Sequence, residues 1–280
     1  MPKPGFKAAL IGSACLAALL FAAWRWLPRD RFREGPVLPP AAPFAPAIAS
    51  SVVPAVSTTI PSPRRQPVKP VPSVPTSVAP RPEPDLPKEI RLAVPFLSQA
   101  PKKDWSMPYQ EACEEASVLM VRAYYAGKKQ KFTPEEGDRA ILDFVAWQAA
   151  QYGPEKVDAT ADEMRQAAEG YAPELAGEVV AFSSAEQIKR LLADGIPVIV
   201  PADGKRLENP RFRNGGPLYH MLVVTGYLAD GRWITNDPGT QFGENFLYSQ
   251  ENLVASIHDW NGGDVPNGAP RLLVLRRKGG

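Results

Sequence analysis

The chain carries two histidines, His220 and His258, and two cysteines, Cys15 and Cys113, in 280 residues, so chemistry that needs a thiol beside an imidazole has few candidate members. A nucleophilic thiol must lose its proton near neutral pH, and a cationic neighbour or a helix N-terminus is what lowers its ordinary pKa of about 8.5. Residues 111–126 contain no helix breaker, and Ala116, Leu119, Met120, Ala123 and Tyr124 recur at the three-and-four spacing of a buried helical face before Gly127. The spacing predicts a helix with Cys113 in its first turn, on the buried face and at the positive end of the helix dipole. Glu111, Glu114 and Glu115 crowd the same turn. Their carboxylates raise the thiol pKa unless they point into solvent while Cys113 faces a cleft holding an imidazolium. The plain alternative for Cys113 is a small buried hydrophobe.

His220 opens the apolar run 220–227, and Asp230-Gly231 signals a hairpin into 233–237. A turn centred on that pair sets Asp237 opposite about Val224, on the face that carries His220, where a carboxylate can fix the imidazole tautomer. A register change of one residue moves Asp237 to the other face and makes Asn236 the orienting candidate. Asp237 also reads as a turn residue within Asn236-Asp237-Pro238-Gly239. His258 has no comparable partner in its own segment, which suits a structural or surface role.

Around these residues the pattern predicts a short lead-in strand over 91–98, held to a sheet edge by Pro95. Helices follow over 134–151, 161–170 and, capped by Ser184, 185–193; strands are expected at 197–201, 219–227, 233–236 and 271–275. Helices first and strands later indicate an α+β domain.

The runs 94–99, 111–120, 124–127, 220–227 and 236–239 together resemble the papain-like cysteine peptidases related to the double-glycine-leader (bacteriocin-processing) peptidases, across about residues 90–275. The resemblance implies a papain-like fold in which an N-terminal helical part, with the catalytic helix, packs on a C-terminal antiparallel sheet. It implies Cys113 as nucleophile, His220 as general base and acid, Asp237 as the acid that orients His220, and Gln99 as an oxyanion donor, without metal or cofactor. Glu114-Glu115 stands where many members have Gly-Pro, and Gln99 lies fourteen residues ahead of Cys113, so Ser98 or Gln110 could serve instead. The expected activity is that of a membrane-tethered thiol hydrolase acting on peptide or amide bonds. An inactive domain binding a peptide or an envelope polymer, and an acyl transferase with the same triad, are the alternatives.

Composition divides the chain. Of its 32 prolines, 16 fall between Pro36 and Pro87, a stretch too poor in aromatic residues to build a core. Residues 8–24 form a run free of charge and proline with Trp24, Trp26 and four arginines at its far end. This reads as a membrane anchor near the lower length limit, or as a signal segment. The expected organisation is an anchor at 1–27, a disordered Pro-rich linker at 28–87 and the peptidase-like domain at 88–280. The arginines after the apolar run favour a cytoplasmic domain. The reach of an extended linker favours the periplasm or cell surface instead, and an extracytoplasmic domain is the expectation. Residues 1–87 hold 10 Lys and Arg against 4 Asp and Glu, and the remainder 22 against 26. That mildly acidic body has no basic footprint for nucleic acid.

Overall fold

The computed structural model describes residues 36–45, 86–153 and 158–279. The described residues from Pro39 onward form one compact unit. Its helices are α1 Cys113–Tyr125, α2 Pro134–Tyr152, α3 Ala161–Tyr171, α4 Ala185–Ala193 and α5 Gln250–Ser256. Its strands are β1 Ala41–Ala42, β2 Ile90–Leu92, β3 Leu175–Ala181, β4 Val198–Asp203, β5 Tyr219–Tyr227, β6 Trp233–Asn236, β7 Phe246–Tyr248 and β8 Arg271–Arg277. They form one sheet in the order β1-β2-β5-β4-β8-β3, with β6 on β5 and β7 on β6. Only the β1–β2 pair is parallel among the described residues. This is the α+β architecture expected, with the helix of Cys113 packed on an antiparallel sheet.

Strand β5 is the axis of the site. All nine of its residues are buried, as its Met-Leu-Val-Val run requires, because β4, β2 and β6 occupy its edges and α1 covers a face. Gly226 has to be glycine, since a Cβ there would lie 2.1 Å from the Ile90 carbonyl oxygen across the β2 pairing. Of α1 only Arg122 escapes burial. The Ser117 hydroxyl donates to the Met221 carbonyl at 3.2 Å, tying the helix that starts at Cys113 to the strand residue next to His220.

The β5–β6 pairing departs from the expected register. Val224 pairs with Thr235 and Val223 with Asn236, and Thr225 is an extra residue between Val224 and Gly226. A bulge of this kind re-aims the side chains beyond it. Before the bulge Tyr227 pairs with Trp233 and Gly226 with Ile234; continued unbroken, that register would set Asp237 across from Val223, on the face away from His220. The extra residue brings Asp237 instead beside Leu222, on the face of His220.

Other expectations shift at their edges. The lead-in strand pairs only over Ile90–Leu92, ending before Pro95. Strands β3 and β7 and helix α5 went unanticipated, being short or half-exposed. Part of the segment expected as linker belongs to the domain: β1 pairs with β2, the Pro39 carbonyl accepts from Arg91 Nε at 3.0 Å, and Phe44 packs edge-on against Tyr125. Among the described residues no helix is long and apolar enough to cross a membrane. The apolar run 8–24, and with it the anchor expected at 1–27, lies outside them, as does residues 46–85 of the expected linker.

Candidate active site

His220 and Asp237 meet at the centre of the domain. His220 Nε2 lies 2.8 Å from Asp237 Oδ1, and the two side chains are 1% and 0% exposed. The same Oδ1 accepts the Gly239 N–H at 2.9 Å, while Oδ2 accepts Asn209 Nδ2 at 2.9 Å and the Tyr248 hydroxyl at 2.5 Å. Burial alone pushes the Asp237 carboxyl up; the His220 ring, the Tyr248 hydroxyl and the Gly239 N–H outweigh it and hold the group below the ordinary carboxylate value. An ionised carboxylate only accepts, so Nε2 carries the hydrogen and Nδ1 of His220 is left as the basic nitrogen. Phe212 stands edge-on to the imidazole with centroids 5.3 Å apart. A Cβ at Gly239 would lie 2.9 Å from both His220 Cε1 and Phe212 Cε1, so the ring is clamped.

Cys113 is a free cysteine at the first residue of α1. The residue before it, Ala112, supplies no side-chain cap, and the Cys113 backbone N–H has no hydrogen-bond partner among the described residues. A helix start of this kind leaves the Cys113 N–H to an anion. By contrast α2 and α3 begin with complete capping boxes on Thr133 and Thr160.

The glutamates do not point into solvent, which corrects the condition set for an activated thiol. Glu114 is 2% and Glu115 9% exposed. The Cys113 thiol donates to Glu114 Oε2 at 3.0 Å; Glu114 Oε1 accepts the Ala159 N–H at 3.3 Å. Gln148 donates to Glu115 Oε1 at 2.5 Å, and Glu115 Oε2 is buried without a partner among the described residues. Burial first, then the Glu114 charge and its hydrogen bond, push the Cys113 thiol well above its ordinary value, with the Met221 backbone hydrogen bond opposing them. The segment ahead of α3 reaches Glu114 through the N–H of Ala159, which is itself buried.

Cys113, His220 and Gln99 all line one cleft of about 730 Å³, shared with Trp105, Phe212, Gln241 and Phe242. Gln99 enters differently from its expected role. Its Nε2 donates to the Tyr109 and Gln110 carbonyls at 3.0 and 2.9 Å, which occupies both of its amide hydrogens, and its Oε1 is buried with no partner among the described residues. The alternative residues fare unequally: Gln110 lines the cleft, while the Ser98 hydroxyl is engaged with Pro238 and Gln241. Asn236, the other candidate for orienting His220, donates to the Val94 carbonyl. His258 Nδ1 bonds the Gly268 carbonyl at 2.9 Å, a structural arrangement.

Sequence reasoning missed Asn209 and Tyr248. They come from a loop and from β7, 28 and 11 residues from Asp237, and nothing in their local pattern marks them. Phe212 and Gly239 around the imidazole were equally silent, although Gly239 is the last residue of the turn signature 236–239.

A family model described as "Peptidase_C39 like family" matches residues 91–261, a span running from β2 past α5. Among solved structures, that of a Bacillus anthracis protein described as a C39-like peptidase is similar, with 16% identity and a TM-score of 0.44 over 68% of this chain and 98% of the other. No curated protein matches the chain.

Proposed function

Because the chain belongs to the Peptidase_C39-like family, whose members are cysteine peptidase-like enzymes, we propose that Cys113, His220 and Asp237 form its catalytic triad and act on a peptide or protein substrate. The observation that carries the reading is that His220, paired with the buried Asp237, lines the same cleft as Cys113.

In this reading Nδ1 of His220 takes the thiol proton, and the Cys113 sulfur attacks the scissile carbonyl carbon. The carbonyl electrons move to oxygen, and the unpartnered Cys113 N–H at the start of α1 receives that oxyanion. The His220 imidazolium, stabilised by Asp237, then protonates the leaving amine as the C–N bond breaks. Water attacks the acyl-enzyme while His220 takes its proton, and the acid product leaves with the thiol restored. Gln99 serves as a second oxyanion donor once one of its hydrogens is released from Tyr109 or Gln110. Residues 8–24 anchor the chain in a membrane, and the Pro-rich segment holds the domain outside the cytoplasm.

The test is incubation of the full chain with a mixture of unblocked peptides, with new termini read by mass spectrometry, beside Cys113→Ser. Cleavage by the parent and none by the variant is expected; equal cleavage by both contradicts the assignment.

A further inference from the structure

Neighbouring residues on a helix do not face each other, yet the Glu114 carboxyl reaches back to the sulfur of Cys113 at 3.0 Å. We propose that Glu114 is a positioning residue that competes with His220 for the proton of Cys113, so that the resting nucleophile is stored as a thiol bonded to a buried carboxyl. The inference rests on the catalytic reading of Cys113 and His220 given above.

Three observations support it. The thiol hydrogen goes to Glu114, and among the described residues no hydrogen bond joins the sulfur to His220. His220 Nδ1, the nitrogen left basic by the Asp237 bond, has no partner among the described residues. Glu114 itself is held in place from a second element, by the Ala159 N–H on Oε1.

The groups around Glu114 give its carboxylate no compensating charge. On α1 they are Cys113 and Glu115, the latter bonded to Gln148 of α2. Ahead of α3 stands Asp158, which itself feels Glu111. From β5 comes Tyr219, whose hydroxyl bonds the Ala159 carbonyl at 3.0 Å and Asp259 Oδ1 at 3.3 Å, and Asp259 has Arg271 at 3.6 Å. No described cation contacts Glu114. Burial, then the charge of Glu115, push the Glu114 carboxyl up, and a more basic carboxylate is a stronger acceptor for the thiol hydrogen. Transfer from sulfur to imidazole therefore requires the thiol to leave Glu114.

The experiment is the pH dependence of iodoacetamide alkylation of Cys113 in the parent, Glu114→Gln, Glu115→Gln and His220→Ala. Glu114→Gln retains an oxygen for Ala159 and removes the charge. Its alkylation midpoint is expected to fall by about one pH unit, a rate gain of roughly tenfold on the acid side, with a smaller effect for Glu115→Gln. An unmoved or raised midpoint in Glu114→Gln overturns the inference. If His220→Ala changes alkylation and Glu114→Gln does not, this inference alone fails; if His220→Ala has no effect, the catalytic reading fails with it. Should Glu114→Gln not fold, the infrared difference spectrum of the parent on alkylation decides: a displaced carboxyl band is expected, and none overturns the proposal.

Discussion

Asp237 Oδ1 accepts from His220 Nε2 at 2.8 Å while three further donors, from Gly239, Asn209 and Tyr248, hold the same carboxylate. The imidazole is thus oriented by a group that is itself fixed on both oxygens, and its tautomer follows. Asp237→Asn replaces the acceptor by an amide that can present a hydrogen to Nε2, which favours the wrong tautomer. A fall in kcat/KM of roughly 10²–10⁴-fold is expected with the fold retained, measured on any peptide the parent cleaves. The Asp237 carboxyl lies below its ordinary value of 3.8, so its contribution to stability is complete above that pH and is lost as pH falls through the lower, folded value. Acid unfolding of Asp237→Asn below about pH 3.8 should accordingly be less steep than that of the parent, as followed by circular dichroism.

Tyr248→Phe removes the 2.5 Å donor from Asp237 Oδ2 and a partner of Asn209. The carboxylate keeps Asn209, Gly239 and His220. A stability loss of about 1–3 kcal/mol is expected from denaturant unfolding, with a smaller loss of activity than for Asp237→Asn.

Gly239→Ala puts a methyl group 2.9 Å from His220 Cε1 and 3.2 Å from Asp237 Oδ1. Either the ring or the loop has to move, and overpacking of this kind costs about 1–3 kcal/mol. A reduction of at least tenfold in kcat, larger than the effect on KM, is expected in steady-state kinetics.

Glu115 has a buried oxygen without a partner among the described residues, and burial pushes its carboxyl above the ordinary value of 4.5. A raised folded value means that its contribution is fully present below pH 4.5 and is lost as pH rises through the folded value. The slope for one such group is at most about 1.4 kcal/mol per pH unit. Glu115→Gln should therefore flatten the decline of stability above pH 4.5, read as Tm against pH. A decline identical to the parent's contradicts this.

The parts of the site that local pattern governs were legible. Cys113 lies at the start of a helix because the apolar spacing of residues 116–124 has one solution, and His220 lies on a buried strand because 221–224 are continuously apolar. The face of Asp237 was reached with the wrong register: the turn was misplaced, and Thr225 supplied the extra residue that restores the parity. Glu114 shows where local reasoning stops. A carboxylate in a first helical turn belongs in solvent by propensity, whereas Glu114 is buried and bonded by the Ala159 N–H of a distant segment. Long-range pairings such as Asn209 with Tyr248 and Asp237, and the docking of β1 from the Pro-rich stretch, depend on the assembled sheet.

The central claim is that the Cys113 thiol acts through His220. Its most direct test is the rate of covalent labelling by a peptidyl vinyl sulfone as a function of pH, with the adduct located by mass spectrometry, in the parent and in His220→Ala. The account predicts one adduct on Cys113, with a rate at neutral pH at least 10²-fold lower in His220→Ala. A parent rate equal to that of an ordinary free thiol and unchanged in His220→Ala would contradict it.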